Sequence, residues 1–273
     1  SHSPSGPIDK LAGLVITANG KRIAWKRDPL DVYTINLVVP EGVTTLKLAY
    51  QFLSPLDRAQ GRVVVTPEII GLQWNAVLLY PAGHAADKIM YSPSLKLPTG
   101  WKFGNALEVA SQNGADTQFK DTDLETLMDS PLFAGKYYRQ FDLDPGAKVP
   151  VRLNVVADAP HMLEATPENL AKHRKLVQQA AKLFGSHHYN HYDFQLALSE
   201  RFSGIGLGHH QSSENSAGPE YLTDPKGASS SDLLAHEYTH SWNGKFRRGA
   251  DQITANFNVP MQDSLLWVYE GQT

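Results

Sequence analysis

Cysteine is absent from this 273-residue sequence. That excludes disulfides and thiolate metal sites, and leaves His, Asp and Glu as the strong metal ligands available. Long apolar runs are lacking as well: no stretch approaches ~18 consecutive apolar residues, so none reads as a membrane-spanning helix. Neither sign of charge dominates. The 25 basic and 28 acidic side chains leave a net charge of -3, too small and too mixed for a nucleic-acid groove or an anionic membrane surface, and peptides or small molecules fit better as partners. The chain begins SHSPSG without Met, as a processed chain does, so a periplasmic or secreted location is expected, with the cytoplasm as the alternative.

What is present suffices for a globular protein. Hydrophobic residues make up 41% of the chain, enough for a core in one large or two ordinary domains. From Leu11 to about Pro160 the apolar residues come in short runs (LAGLVITANG, YTINLVVP, TTLKLAYQF, GRVVVTPE, AVLLYP, KVPVRLNVVAD) punctuated by Gly, Pro, Asn and Asp. Thr45, Lys47 and Ala49 alternate with Leu46, Leu48 and Tyr50, as in a half-buried strand. Strands at this spacing predict an antiparallel β-sandwich domain over 1–165. No internal repeat is visible.

The pattern changes at TPENLAKHRKLVQQAAKLFGS, where Thr166 suits a helix N-cap, Pro167 its first position and Gly185 its end. Leu170, His173, Val177, Ala180, Ala181 and Phe184 share one helical face. A second domain, 166–273, is expected to start here, making an α+β protein overall. Phe194, Leu196 and Leu198 alternate with Gln195, Ala197 and Ser199, a predicted strand. A polar Gly/Ser-rich loop is expected from Ser203 to Ser230. Ser229 and Asp232 then resemble a capping pair for the next helix.

That helix carries HEYTH. His236 and His240, four residues apart, lie on one helical face about 6 Å from each other, close enough for two imidazoles to grip one ion. Glu237 sits about 100° round the same turn, able to reach a water on that ion without being a ligand. A catalytic zinc takes three protein groups and keeps one position open. Downstream, DSLLWVYEGQT offers Glu270 in an apolar run, where a carboxylate needs a partner. A divalent cation is one such partner and Arg247 another.

HEYTHSWNGKFRR followed by LLWVYEG closely resembles the glycyl aminopeptidase family of zinc metallopeptidases, within the wider thermolysin-like group. SPLFAGKYYR resembles a segment of that family's N-terminal domain. The resemblance implies His236, His240 and Glu270 as ligands of one Zn2+, Glu237 as general base, and removal of N-terminal residues such as Gly or Ala from peptide substrates. It also implies a carboxylate that receives the substrate's amine. Relatives commonly carry a glutamate where this chain has Gly208, beside His209. Glu214 is the nearest carboxylate and the expected substitute, with His209 as a second substrate contact. The resemblance further calls for a helical half beyond Thr273, so a C-terminal fragment of the same gene product is an expected partner and 166–273 the first part of a thermolysin-like zinc peptidase domain.

Other residues carry blander expectations. HHYNH, His187 to His191, has ligand-like spacing but reads as a polar loop. Trp242, Trp267 and Tyr269 read as core aromatics, and KFRR as a short basic run paired with Asp251 or Asp263. The rival function is a noncatalytic peptide- or glycan-binding protein with a structural or vestigial metal site; zinc hydrolysis of a non-peptide bond is a third.

Overall fold

A computed structural model describes residues 8–229 and 232–273. They form two compact units: residues up to Ser54 together with Trp74–Leu79, and Pro55–Gln73 together with Tyr80–Thr273. Helices and strands are mixed, with antiparallel β-structure dominating the N-terminal part as expected.

In the first unit, β1 (Leu11–Ala18), β2 (Lys21–Ile23), β3 (Trp25–Arg27), β4 (Ile35–Leu37) and β5 (Lys47–Phe52) form a three-stranded sheet, β2-β1-β5, and a separate β3-β4 ladder, all antiparallel. The β1-β2 turn is Asn19-Gly20, both at positive φ (50° and 76°). That pair closes a two-residue hairpin whose twist matches its strands. The unit also contains the short helix α1 (Trp74–Val77).

The second unit begins with three small antiparallel sheets built from β6 (Ile69–Leu72), β7 (Met90–Tyr91), β8 (Ser94–Lys96), β9 (Lys102–Asn105), β10 (Val109–Asn113), β11 (Asp116–Phe119), β12 (Thr122–Asp123) and β13 (Leu132–Gly135). Helix α2 (Leu124–Met128) is capped by Asp123, which accepts from the Thr126 N–H. Two apolar runs read as strands do not become them: GRVVVTPE contributes a single bridge, Val65 to Ile70, and AVLLYP begins within the short helix α1, which ends at Val77, and continues without a strand.

The principal sheet has the order β14-β15-β16-β18-β17, with β14 Tyr137–Asp142, β15 Val151–Ala157, β16 Tyr192–Leu198, β17 Gly206–Gly208 and β18 Ser212–Ala217. The pairs β15-β16 and β16-β18 are parallel. Helix α3 (Pro167–Phe184) makes the crossover from β15 to β16. Its ends are as the sequence implies: Thr166 accepts from the Asn169 N–H, Pro167 opens the first turn, and Gly185 closes the helix in the left-handed region at φ 71°. Val177 and Ala180 bury against Val151, Leu153 and Val155 of β15 and Tyr192, Phe194 and Leu196 of β16. Strand β16 is buried along its whole length, as a central parallel strand covered on both faces must be. The expected boundary at 165/166 falls inside this arrangement, with β14 and β15 before it and β16 to β18 after it.

The largest difference from the sequence reading is at 203–230. The polar run SSENSA is strand β18, wedged between β16 and β17, with Ser212, Ser213 and Asn215 fully buried. Its ladder is satisfied by backbone, and Asn215 donates to the Gln195 carbonyl at 3.1 Å and to Ser213 Oγ at 2.9 Å. Helix α4 (Leu233–His240) packs on β17 and β18, and α5 (Leu266–Gly271) follows.

Candidate metal centre

The start of α4 differs from the expected capping pair. Asp232 itself occupies the N-cap, where its carbonyl accepts the His236 N–H at 2.9 Å while its side chain makes no capping bond, and Ser229 ends the preceding turn. The helix still presents HEYTH as its helical period requires. His236 Nε2 lies 2.9 Å from His240 Nε2. Glu270 Oε2, from α5, lies 3.3 Å from the first nitrogen and 3.4 Å from the second. Among the described residues these three form the one group of His and carboxylate ligand atoms that converges in this way.

The separations fit a cation. Donors held ~2.0–2.1 Å from one tetrahedral ion stand roughly 3.4 Å apart. The protonation pattern points the same way: His240 Nδ1 lies 3.2 Å from the Asn243 carbonyl, so that nitrogen carries the proton and Nε2 turns its lone pair towards His236 and Glu270. Burial holds the His240 imidazole below its ordinary value, in the neutral form that ligates. Tyr269 packs on the His240 ring with centroids 4.1 Å apart. Asn243 Nδ2 donates to the Val268 carbonyl at 3.0 Å and to Thr273 Oγ1 at 3.0 Å. Helix α5 is thereby tied to the end of α4.

Glu237 is 5% exposed and sits against β17. A Cβ on Gly206 would stand 2.7 Å from Glu237 Oε1, and one on Gly208 would stand 2.5 Å from His240 Cβ and 2.8 Å from the Glu237 carbonyl. Two glycines at alternate positions of a strand leave one face bare, and here that face admits the metal helix. Burial pushes the Glu237 carboxyl up to about 7; His209 pulls it down, and Glu270 and Glu214 push it up.

The expected substrate contacts, His209 and Glu214, lie just after β17 and on β18. Leu207 and Glu214 are cross-strand partners and share the face opposite Gly206 and Gly208. Glu214 is 1% exposed. Its Oε2 accepts from His209 Nε2 at 3.2 Å and from Gln73 Nε2 at 3.0 Å. His209 Nδ1 donates to Asp129 Oδ1 at 3.1 Å, and the same carboxylate takes the His210 backbone N–H at 2.7 Å and Lys245 Nζ at 2.6 Å. Glu214 and His209 are therefore bonded to each other in a buried network in which Glu214 Oε1 makes no hydrogen bond. Gly208 has no room for the family's glutamate while α4 keeps this position.

Lys245 and Arg248 pair with Asp129 and Glu125 of the α2 region, and not with Asp251 or Asp263. Trp242 is buried, whereas Trp267 is 72% exposed and no core residue. The HHYNH histidines diverge: His188 bonds Ser241 Oγ at 2.9 Å, and His191 bonds Asp193 at 2.7 Å and Glu108 at 3.2 Å. Asp129 escaped the sequence reading because its partners lie far along the chain.

A family model for the N-terminal domain of M61 peptidases matches residues 1–136, and one described as M61 glycyl aminopeptidase matches 229–273. Curated proteins yield no match. Among solved structures, the chain is similar to an aminopeptidase N family protein from Idiomarina loihiensis, with TM-score 0.75 and 18% identity over 97% of this chain and 45% of that one. This chain thus spans just under half the length of that structure, and at such identity the likeness speaks for the fold alone. An M1 zinc metallopeptidase from Deinococcus radiodurans, at TM-score 0.45 and 13% identity over 84% of this chain and 54% of that one, is too distant to add to it.

Proposed function

Because the chain belongs to the M61 glycyl aminopeptidase family, we propose that it carries the zinc centre of an aminopeptidase that hydrolyses N-terminal peptide bonds, with Gly or Ala preferred at the terminus. The observation that supports this most is the convergence of His236 Nε2, His240 Nε2 and Glu270 Oε2 beside the buried Glu237. His236, His240 and Glu270 would hold the ion in a thermolysin-like ligand set. When bound, such an ion supplies Lewis acidity that polarises a carbonyl and acidifies water.

The chain's own residues do the rest. Glu237, raised by burial into the neutral range, is suited to take a proton at a carboxylate oxygen near pH 7 and pass it to the leaving amine. Gly206 and Gly208 let its carboxylate lie flat against β17. The preference for a small terminal residue comes from the family resemblance, and Glu214, whose Oε1 makes no hydrogen bond, is the candidate acceptor of the substrate's ammonium. Metal analysis of the purified chain tests the centre: about one zinc per chain is expected, and a marked loss in Glu270→Ala. Equal zinc in both would remove Glu270 from the site. Comparison of an Ala-peptide with its N-acetylated form then tests the exopeptidase reading, and equal cleavage of the two would make the enzyme an endopeptidase.

A further inference from the structure

Away from the metal centre, the second unit has a half-open pocket of about 240 Å³ where β9 and β10 meet the N-terminal ends of β15 and β16. Its volume lies below the ~300–1,000 Å³ of drug-sized sites, so it has room for a small molecule only. The walls are of two kinds. Phe103, Leu107 and Val109 supply an apolar side, while Arg152, Glu108 and His191 supply charge.

The charged groups are held in place from below. Asp193, 2% exposed, accepts from His191 Nδ1 at 2.7 Å, from Asn154 Nδ2 at 2.9 Å and from Arg152 at 3.4 Å. Asn154 is fixed in turn by Tyr138 and Gln140, at 2.7 and 2.8 Å. The turn that carries Glu108 is anchored by Asn105, whose amide donates to the Ser130 carbonyl at 3.0 Å and whose oxygen accepts the Leu107 N–H. Such a supporting shell is what a binding site needs and an incidental hollow lacks.

What the support leaves free is one cationic and one anionic edge. Arg152 spends a single guanidinium nitrogen on Asp193, and its side chain is 35% exposed. Glu108 gives one oxygen to His191 at 3.2 Å and is 57% exposed. A carboxylate satisfies the guanidinium fork through paired, charge-assisted bonds, and an ammonium satisfies the second oxygen of Glu108. A ligand with one charge only would leave the other edge unmatched. Phe103 and Leu107 then face whatever small apolar substituent lies between. We infer that this cavity binds a free α-amino acid with a small side chain, its carboxylate on Arg152 and its ammonium on Glu108.

The inference does not depend on peptidase activity, and its test reads binding. L-Alanine is titrated into the metal-depleted 273-residue chain by calorimetry, with acetate and ethylamine as single-charge probes. Saturable one-to-one binding of alanine is expected, at least tenfold tighter than either probe. Arg152→Gln and the exposed Glu108→Gln should each weaken it about tenfold or more, which is ~1.4 kcal/mol. His236→Ala should leave it unchanged, which separates this site from the metal centre. No saturable binding at millimolar alanine overturns the inference. So does equal binding of acetate, unchanged affinity in well-folded Glu108→Gln, or loss in His236→Ala.

Discussion

Two clusters of histidine and carboxylate flank β17, and they are built on opposite principles. On the α4 face, His236, His240 and Glu270 bring three acceptor atoms together within 2.9 to 3.4 Å, with the proton of His240 turned outward to the Asn243 carbonyl. On the other face, Asp129, His209, Glu214 and Lys245 alternate acceptor and donor, with each His209 ring nitrogen on a carboxylate and Lys245 on Asp129, while Glu214 Oε1 makes no hydrogen bond. The first set consists of acceptors alone; the second contains its own cation, Lys245. Converging lone pairs call for a cation, whereas alternating donors and acceptors supply their own counter-charges. Composition alone would rank the two alike, and the direction of the hydrogen bonds separates them.

The largest effect that sharpens this contrast is on catalysis. For the proposed aminopeptidase, Glu237→Gln should keep zinc at the parental level and lower turnover of an N-terminal Ala-peptide by roughly 10²–10⁴-fold, because the amide keeps the shape but accepts no proton. Parental turnover, measured beside zinc content, would remove Glu237 from the chemistry. Changes in the second cluster should act on stability instead. Asp129→Asn leaves His209 and Lys245 without their shared anion, at a cost of about 2–3 kcal/mol, somewhat below the ~3–5 of a fully buried pair because Lys245 partly reaches solvent. Denaturant unfolding reads that loss. Zinc stoichiometry should stay at the parental value, and a chain that loses its metal together with its stability would show that the two clusters act as one.

Strand β17 is the wall between them, and its glycines break the comparison most directly. A methyl on Gly208 would meet His240 Cβ at 2.5 Å and backbone at 2.8 Å, so Gly208→Ala must push α4 away. A cost of about 1–3 kcal/mol is expected, with weakened zinc binding. Gly218→Ala, whose added methyl meets nothing within 4 Å, is the control. Equal stability and zinc affinity in the two variants would mean that α4 does not bear on β17.

How much of this the sequence disclosed follows from the range of each signal. Helix α3 was legible to its ends because Thr166, Pro167 and Gly185 act on their immediate neighbours. His236, Glu237 and His240 were legible because a helix fixes their spacing, and Glu270 through the family resemblance. Strand β18 was not, since the apolar alternation that marks a strand is missing from SSENSA: its faces are covered so closely that small polar residues fill them, and Asn215 bonds the Gln195 carbonyl of β16. The second cluster was half legible. Glu214 and His209 were singled out, but their partner Asp129 is more than a hundred residues from Lys245, and no local pattern announces such a pair. One signal was there to be read: Gly206 and Gly208, two apart, mark a strand face that something approaches closely.

The smallest expected effect concerns pH, and it tests whether the second cluster holds its charge internally. Burial alone would push the His209 imidazole down, but its bonds to Asp129 and Glu214 outweigh burial and hold it above its ordinary value. Burial would likewise raise Asp129, yet Lys245, His209 and His210 hold it well below the usual carboxylate range. The signs follow. A histidine raised in the folded state contributes stability that is fully present below its unfolded value of ~6.5 and is lost as pH rises through the folded value. A depressed aspartate contributes stability present above ~3.8 and lost as pH falls through its folded value. Between those limits both contributions are present. The gap in melting temperature between the parent and His209→Gln should therefore be widest on the acidic side of neutrality and close as pH rises past the folded value of His209. A gap that stays constant from mildly acidic to mildly basic pH would mean that His209 is neutral throughout, a donor between two carboxylates and not the cation between them.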